Sequence, residues 1–285
     1  MTKADLNYLD ERIHMLINKV SESIAHIRTV TDRTPELALV LGSGLAPIAE
    51  KLENKVILPY EDIPHFQMSN APGHKSRLIF GDLNGVSILC MQGRQHYYEG
   101  YTMQELTYPV RVMAKLGIKK LILTNACGGL DPAMVPGDLM LITDHINFMG
   151  DNPLIGANEE DFGERFPDMT QVYHPELRAI AEKAADDLDI ELKQGIYISY
   201  SGPSFETPAE IRMMQNWGGH VVGMSTVPEA IVAAHSGVKV LGISCITNLA
   251  AGILDQPLSS DEVLVAAGEA SGKFVNLLTE IVTRL

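Results

Sequence analysis

The chain has 285 residues, 46% of them hydrophobic and 20% charged, an ordinary globular composition with enough apolar content for a large buried core. A formal net charge of −14 argues against nucleic-acid backbones and anionic membranes as main partners, though not against small anions, which need only a local cluster of donors. The N-terminus lacks a basic-then-apolar signal pattern, and no apolar stretch approaches the ~20 residues of a membrane span. The cysteines, Cys90, Cys127 and Cys245, are odd in number and widely spaced, which reads as reduced thiols in a cytoplasmic protein.

Length alone allows two domains, but there is no Ser/Pro/Gly-rich linker and no repeat period. Residues 5–28 carry Leu6, Leu9, Ile13, Leu16, Ile17, Val20, Ile24 and Ile27 at helical spacing, which predicts an amphipathic helix. We assign residues 1–34, which hold no chemical motif, to packing or assembly, and 35–285 to a single domain. Residues 36–41 predict a buried strand running into Gly42-Ser43-Gly44. Residues 76–91 predict a hairpin that turns at Leu83-Asn84-Gly85. Thr102 and Glu105 form a capping-box signature for a helix that stops at Gly117.

Strands are predicted over 119–124, ending at Asn125-Ala126-Cys127-Gly128-Gly129, and over 137–143, ending at Asp144-His145. Residues 150–172, rich in Gly, Pro, Asn and acids, predict a long loop or lid. A helix over 175–188 follows. Capping boxes at Thr207/Glu210, Thr226/Glu229 and Ser259/Glu262 open three further helices. Strands and helices alternate, so the class is α/β, and the hairpin makes the sheet mixed.

Chemistry concentrates where apolar strands run into polar corners. In open α/β sheets ligands sit at the carboxyl ends of strands. Three such corners bring a carboxylate at Glu206, a hydroxyl beside a helix start at Ser225 and an amide at Asn248. Together they suit a neutral polar ring and an anion. Gly42-Ser43-Gly44 suits phosphate at a helix start. A tight strand-to-helix turn explains it equally well: Pro47 spoils a dinucleotide fingerprint, and no Gly-Lys-Ser/Thr makes it a P-loop. Arg94 and His96, two apart, face the same side of an extended backbone, and the arginine fork matches phosphate oxygens. No His/Cys spacing resembles a zinc site.

The ordered motifs resemble those of the trimeric, low-molecular-mass class of purine nucleoside phosphorylase. They are Gly42-Ser-Gly44, Gly73-His74, residues 92–101 around Arg94 and His96, Thr124-Asn-Ala126 with Gly128-Gly129, Asp144-His-Ile-Asn147, Gly202-Pro-Ser-Phe-Glu-Thr207, Gly223-Met-Ser-Thr226 with Pro228-Glu229, and Ile246-Thr-Asn248. The resemblance covers about residues 36–285. It implies a distorted, partly barrel-like mixed sheet flanked by helices, a homotrimer with sites near subunit boundaries, and reversible phosphorolysis of purine nucleosides, with phosphate as co-substrate and no metal or organic cofactor.

It further implies phosphate contacts from Ser43, His74, Arg94, His96, Ser225 and the Ala126 amide, and ribose contacts from Tyr98, Met224 and Ser260. The base would be held by Phe205, Glu206, Val222, Asn248, Asn125, Cys127 and Gly128. Phe162 is matched to the aromatic that reaches a neighbouring subunit's ribose. His96, Glu206 and Asn248 carry the catalytic assignment. Two departures stand out. Ser260 replaces the family's histidine at the ribose 5′-hydroxyl, and Cys127 replaces a common alanine. The alternative activity is that of a methylthioadenosine phosphorylase. Ser260 favours it, since a 5′-thioether needs no donor. Asn248, where those relatives usually carry an acid, opposes it.

Overall fold

The computed structural model describes residues 3–42, 44–71, 73–255 and 258–285, without the side chains of 3–15, 260–262 and 264. Of the residues singled out above, Ser43 and the side chains of Leu6, Leu9, Ile13, Ser260 and Glu262 lie outside this description, and the Ser259/Glu262 capping box with them. Helix α1 spans Lys3–Val30. Its Val20 and Ile27 are buried in the core, and the Ser23 hydroxyl shares a 2.6 Å hydrogen bond with Tyr108.

Strand β1 (Leu37–Leu41) is buried along its whole length. Ala38 and Val40 join one apolar cluster, and Leu37, Leu39 and Leu41 join a second, as the two-residue strand period requires. The first cluster is completed by α1, α3 (Met103–Leu116) and α6 (Val227–His235). The second is completed by α2 (Ala46–Glu50), α4 (Pro175–Asp187) and α7 (Ser260–Arg284). Helix α5 (Pro208–Asn216) buries Ile211 and Met214 in a smaller cluster with Ile198 and Val222.

The predicted hairpin forms from β3 (Arg77–Leu83) and β4 (Val86–Gln92), with Asn84 and Gly85 both at positive φ, the geometry of a tight hairpin turn. Strand β2 (Glu53–Pro59) pairs antiparallel with β3. The capping boxes at Thr102/Glu105 and Thr207/Glu210 form as expected. Two strands run further than predicted: β5 covers Lys120–Gly129 and β6 covers Leu139–Phe148. The Asn125–Gly129 corner is therefore itself strand, kept extended by pairing along Thr124–Gly129 with β9 (Lys239–Leu249) and by Gly128 and Gly129 with β8 (Val221–Gly223).

The sheet order is β2-β3-β4-β1-β5-β8-β7-β6-β9, where β7 is Leu192–Tyr200, and β9 returns to pair with β5. Five strands thus close into a ring, the barrel-like part of the mixed sheet, and the other four extend from β5 as an open sheet. Strand β5 pairs with β1 only from Lys120 to Leu123 and with β8 only at Gly128 and Gly129. Between these points the edge of β5 carries no strand partner, and the two parts of the sheet diverge. A cleft opens there, at the carboxyl ends of β1, β5 and β9, where α/β sheets place their ligands.

Candidate active site

The cleft gathers residues from eight separate stretches of chain: Gly42, His74, the segment Arg94–Tyr98, the segment Asn125–Gly128, Phe205–Glu206, Val222–Ser225, Thr247–Asn248, and Val263 of α7. His74, Arg94, His96, Ala126 and Ser225 all line it, as the sequence predicts for an anion site. So do Phe205, Glu206, Val222, Asn248, Asn125, Cys127 and Gly128 of the base group, and Tyr98 and Met224 of the ribose group. Sequence reading did not single out Thr247 and Val263. Their signal was position alone, one beside Asn248 and one on the first turn of a predicted helix.

One end of the cleft is rich in donors. Arg94 is 1% exposed, and its guanidinium is fixed from several sides. Its Nη1 donates to the Ser225 and Thr226 hydroxyls at 3.1 and 3.2 Å, and its Nη2 donates to the Thr124 carbonyl at 2.6 Å. The Arg94 backbone amide donates to His74 Nδ1 at 3.0 Å. His74 Nδ1 also lies 2.9 Å from the Arg94 carbonyl oxygen, so the Arg94 backbone holds the ring from both its donor and its acceptor. The other ring nitrogen, Nε2, is buried and has no hydrogen-bond partner among the described residues. Burial, reinforced by the neighbouring His96 and Arg94, pushes the His74 pKa down to about 4. At neutral pH it is an uncharged ring whose Nε2 is left without a partner.

His96 stacks on Tyr98 with ring centroids 4.9 Å apart, and its Nδ1 lies 3.2 Å from Glu99 Oε1. The Glu99 carboxylate also accepts the backbone amides of His96 and Asn70, at 2.7 and 2.6 Å. Burial pushes Glu99 up, but the hydrogen bonds from His96 and these amides outweigh it and leave the carboxyl at about 2. A fixed anion on Nδ1 settles the imidazole's tautomer and leaves its other nitrogen for a ligand. Glu99 was part of the motif, but its role as the orienting group for His96 was not read from sequence.

The other end of the cleft is acidic and amide-bearing. Glu206 is buried, with no ion-pair partner among the described residues. Burial pushes its carboxyl up, its own backbone amide opposes this, and Glu210 adds to the rise. Asn248 Oδ1 accepts from the Thr247 hydroxyl at 3.1 Å, and its Nδ2 donates to the Leu249 carbonyl at 3.1 Å. Gly128 of β5 lies directly beside this amide: a Cβ there would be 3.4 Å from the Asn248 Nδ2. The Cys127 thiol donates to the Cys245 carbonyl at 3.4 Å, and burial pushes its pKa up, so it stays a neutral wall. Among the described residues no cluster of three His, Cys, Asp or Glu could hold a metal ion.

Two expectations are corrected by the structure. Thr226 and Glu229 do not form a capping box: Thr226 sits at φ 73° and makes no cap hydrogen bond. Its hydroxyl instead accepts from Arg94 and from Asn125 Nδ2, the latter at 3.0 Å, and Glu229 Oε2 lies 3.1 Å from Arg94 Nη1. A buried arginine outcompetes one backbone amide for both groups. Phe162 does not reach outward. It is 4% exposed in the core, with the Arg111 guanidinium 5.0 Å and the Lys115 ammonium 4.9 Å from its ring centroid. The outward aromatic of the same loop is Phe166, 85% exposed.

The cleft therefore gathers anion-compatible donors at one end and a carboxyl with an amide at the other, beside a closed five-stranded ring. Comparison with known proteins gives the family. A family model described as the Phosphorylase superfamily matches residues 36–283, and the chain belongs to that superfamily. Within it the chain falls among the purine nucleoside phosphorylases. It is 53% identical to "Purine nucleoside phosphorylase 1" of Bacillus subtilis, over 94% of this chain and 98% of the relative. It is 46% identical to "Purine nucleoside phosphorylase" of Bos taurus, over 87% of this chain and 89% of the relative. A solved Schistosoma purine nucleoside phosphorylase in complex with hypoxanthine matches with a TM-score of 0.90 and 37% identity, covering 94% of this chain and 98% of the other.

Proposed function

We propose that the protein catalyses reversible phosphorolysis of purine ribonucleosides and 2′-deoxyribonucleosides, preferring 6-oxopurines such as inosine and guanosine. The products are the free base and ribose or deoxyribose 1-phosphate. It works in the cytoplasm in purine salvage, as a homotrimer, with phosphate as co-substrate and no metal or organic cofactor. The observation that carries this reading is a single cleft with Arg94, His74 and His96 converging at one end and Glu206 with Asn248 at the other. Related structures from Schistosoma are complexes with hypoxanthine, adenosine and inosine, which supports a purine ring.

The chemistry follows from the charges. As the bond from the ribose anomeric carbon to the purine nitrogen breaks, the sugar becomes cationic and the leaving purine anionic. Phosphate held by Arg94, His74, His96, Ser225 and the Ala126 amide stabilises the first and then forms the new bond to that carbon. The Asn248 amide donates to the purine as negative charge develops, and Glu206 accepts from the ring N–H. Catalysis is then positioning plus preorganised electrostatics. Ser43 belongs to the phosphate group and Ser260 to the 5′-hydroxyl. Phe166 takes over from Phe162 the role of closing a neighbouring subunit's ribose site.

The test is a nucleoside panel assayed with and without phosphate. Hypoxanthine released from inosine only when phosphate is present supports the reading. Release that ignores phosphate means a hydrolase. Turnover of 5′-methylthioadenosine in preference to inosine selects the rival activity, and no release from any nucleoside means a binding protein.

A further inference from the structure

Beneath the anion end of the cleft, Arg94 and Glu229 form an ion pair in which the two side chains are only 2% and 3% exposed. Both hydrogens on Arg94 Nη1 are already directed at hydroxyls, of Ser225 and Thr226. Glu229 Oε2, 3.1 Å from the same nitrogen, has no hydrogen-bond partner of its own. The carboxylate therefore acts on the guanidinium mainly as a charge. Thr226, a β-branched residue, is held at φ 73° to keep its hydroxyl on Arg94 and Asn125 rather than on the helix end. Such a conformation is costly and persists where the surroundings impose it, as at functional sites. A simple N-cap would have satisfied Thr226 and Glu229 locally. The chain instead directs both to the one arginine of the cleft.

This arrangement has an electrostatic consequence. Among the described residues lining the cleft Arg94 is the one lysine or arginine, and burial keeps the neighbouring His74 neutral. A buried negative charge against it cancels part of the field that an incoming anion meets, and in a site of low dielectric that cancellation is large. We propose that Glu229 is a positioning residue of the anion site that acts through Arg94: its charge keeps phosphate and the sugar-phosphate product bound weakly enough to leave. This rests on the phosphate site proposed above. A purely structural Glu229 would have the opposite signature, since its loss would disorder Arg94 and weaken anion binding.

The substitution E229Q separates the two. It keeps the shape and removes the charge, and a void of about 10 Å³ lined by Gln95, His96, Thr226 and Glu229 leaves the new amide room to turn. Binding of inorganic phosphate is measured by calorimetry on the full chain, with hypoxanthine as a control for the other end of the cleft. For E229Q we expect phosphate to bind about tenfold tighter, with hypoxanthine affinity held within about twofold and kcat lowered through slower release. E229D, which keeps the charge but draws it back from Arg94, falls between the two. If the wild-type protein binds no phosphate, the reading of the cleft itself fails. If it does, and E229Q binds phosphate equally or more weakly, this inference alone is overturned. Should E229Q not fold, E229D decides: tighter phosphate binding supports the proposal, and unchanged or weaker binding refutes it.

Discussion

Gly163, in the long loop after β6, presses against the end of α6: a Cβ at this position would lie 1.9 Å from the His235 carbonyl oxygen. The loop is docked rather than draped. Lys115 Nζ donates to the Asp161 carbonyl at 2.6 Å and Asn158 Nδ2 donates to the Gly163 carbonyl at 3.0 Å, with Phe162 buried between them. Gly163→Ala should therefore push the segment off α6, at the ~1–3 kcal/mol typical of overpacking. Limited proteolysis within 150–172 should accelerate and the melting temperature should fall. Unchanged cleavage would mean the loop is anchored elsewhere.

The same loop should respond to pH. Burial pushes the Glu159 carboxyl up to about 7, Arg111 opposes the rise, and Asp161 adds to it. The folded state thus holds a proton that the unfolded chain has lost, so this contribution is complete below the ordinary carboxyl value of ~4.5 and fades as pH rises through about 7. His235 works the other way. Burial and then Arg111 push it down, so its contribution is present above the ordinary histidine value and is lost as pH falls. Hydrogen exchange of amides 158–166, corrected for intrinsic rates, should speed up between pH 5.5 and 8 by up to about tenfold. Glu159→Gln should abolish that slope. A slope that survives the substitution assigns it to another group.

Asn248→Asp should move preference away from 6-oxopurines. The aspartate loses the amide donor and, once ionised, repels the developing purine anion, at roughly 2–4 kcal/mol of transition-state stabilisation. The measurement is kcat/KM for inosine, and full activity in this variant would remove Asn248 from the mechanism.

Phe162 and Phe166 should separate cleanly. Phe162→Ala excavates the core and should cost about 3–5 kcal/mol of stability. Phe166→Ala removes an exposed ring, so stability should hold within about 0.5 kcal/mol while KM for nucleoside rises. If Phe166→Ala leaves KM untouched, that aromatic closes no site.

If Ser260 takes the place of the family's histidine, as proposed, the ribose 5′-hydroxyl has only a short partner. A site without a committed polar group discriminates weakly against the analogue that lacks the hydroxyl, by about 1–2 kcal/mol. The ratio of kcat/KM for inosine and 5′-deoxyinosine reads this directly. A ratio above about a thousandfold would assign the contact to some other residue.

Much of this site was legible because its residues sit at strand ends, where a local motif and a ligand position coincide. Arg94, His96, Glu206, Ser225 and Asn248 all belong to this kind. Thr226 was not legible, because its local signal, a hydroxyl three residues before a glutamate, fits a capping box, and the group that captures it is 132 residues away. Phe162 and Phe166 were not separable either. Both lie in a segment without periodicity, so nothing local says which ring turns inward. The length of β5 beyond Thr124 escaped for a similar reason: a polar residue and two glycines carry no strand signal of their own until β8 and β9 are there to hold them extended.

The return of β9 to β5 makes recognition a property of the whole chain. Groups lining the cleft come from Gly42 at one extreme to Val263 at the other, and its floor is one of the strands that close the ring. No excised fragment can keep both ends of the cleft, and opening the ring dismantles it. Substrate and product are therefore also folding ligands. Each stabilises the closed ring by mass action, about 4 kcal/mol when present at a thousand times its dissociation constant. The concentration of nucleoside around the protein sets its lifetime as well as its turnover.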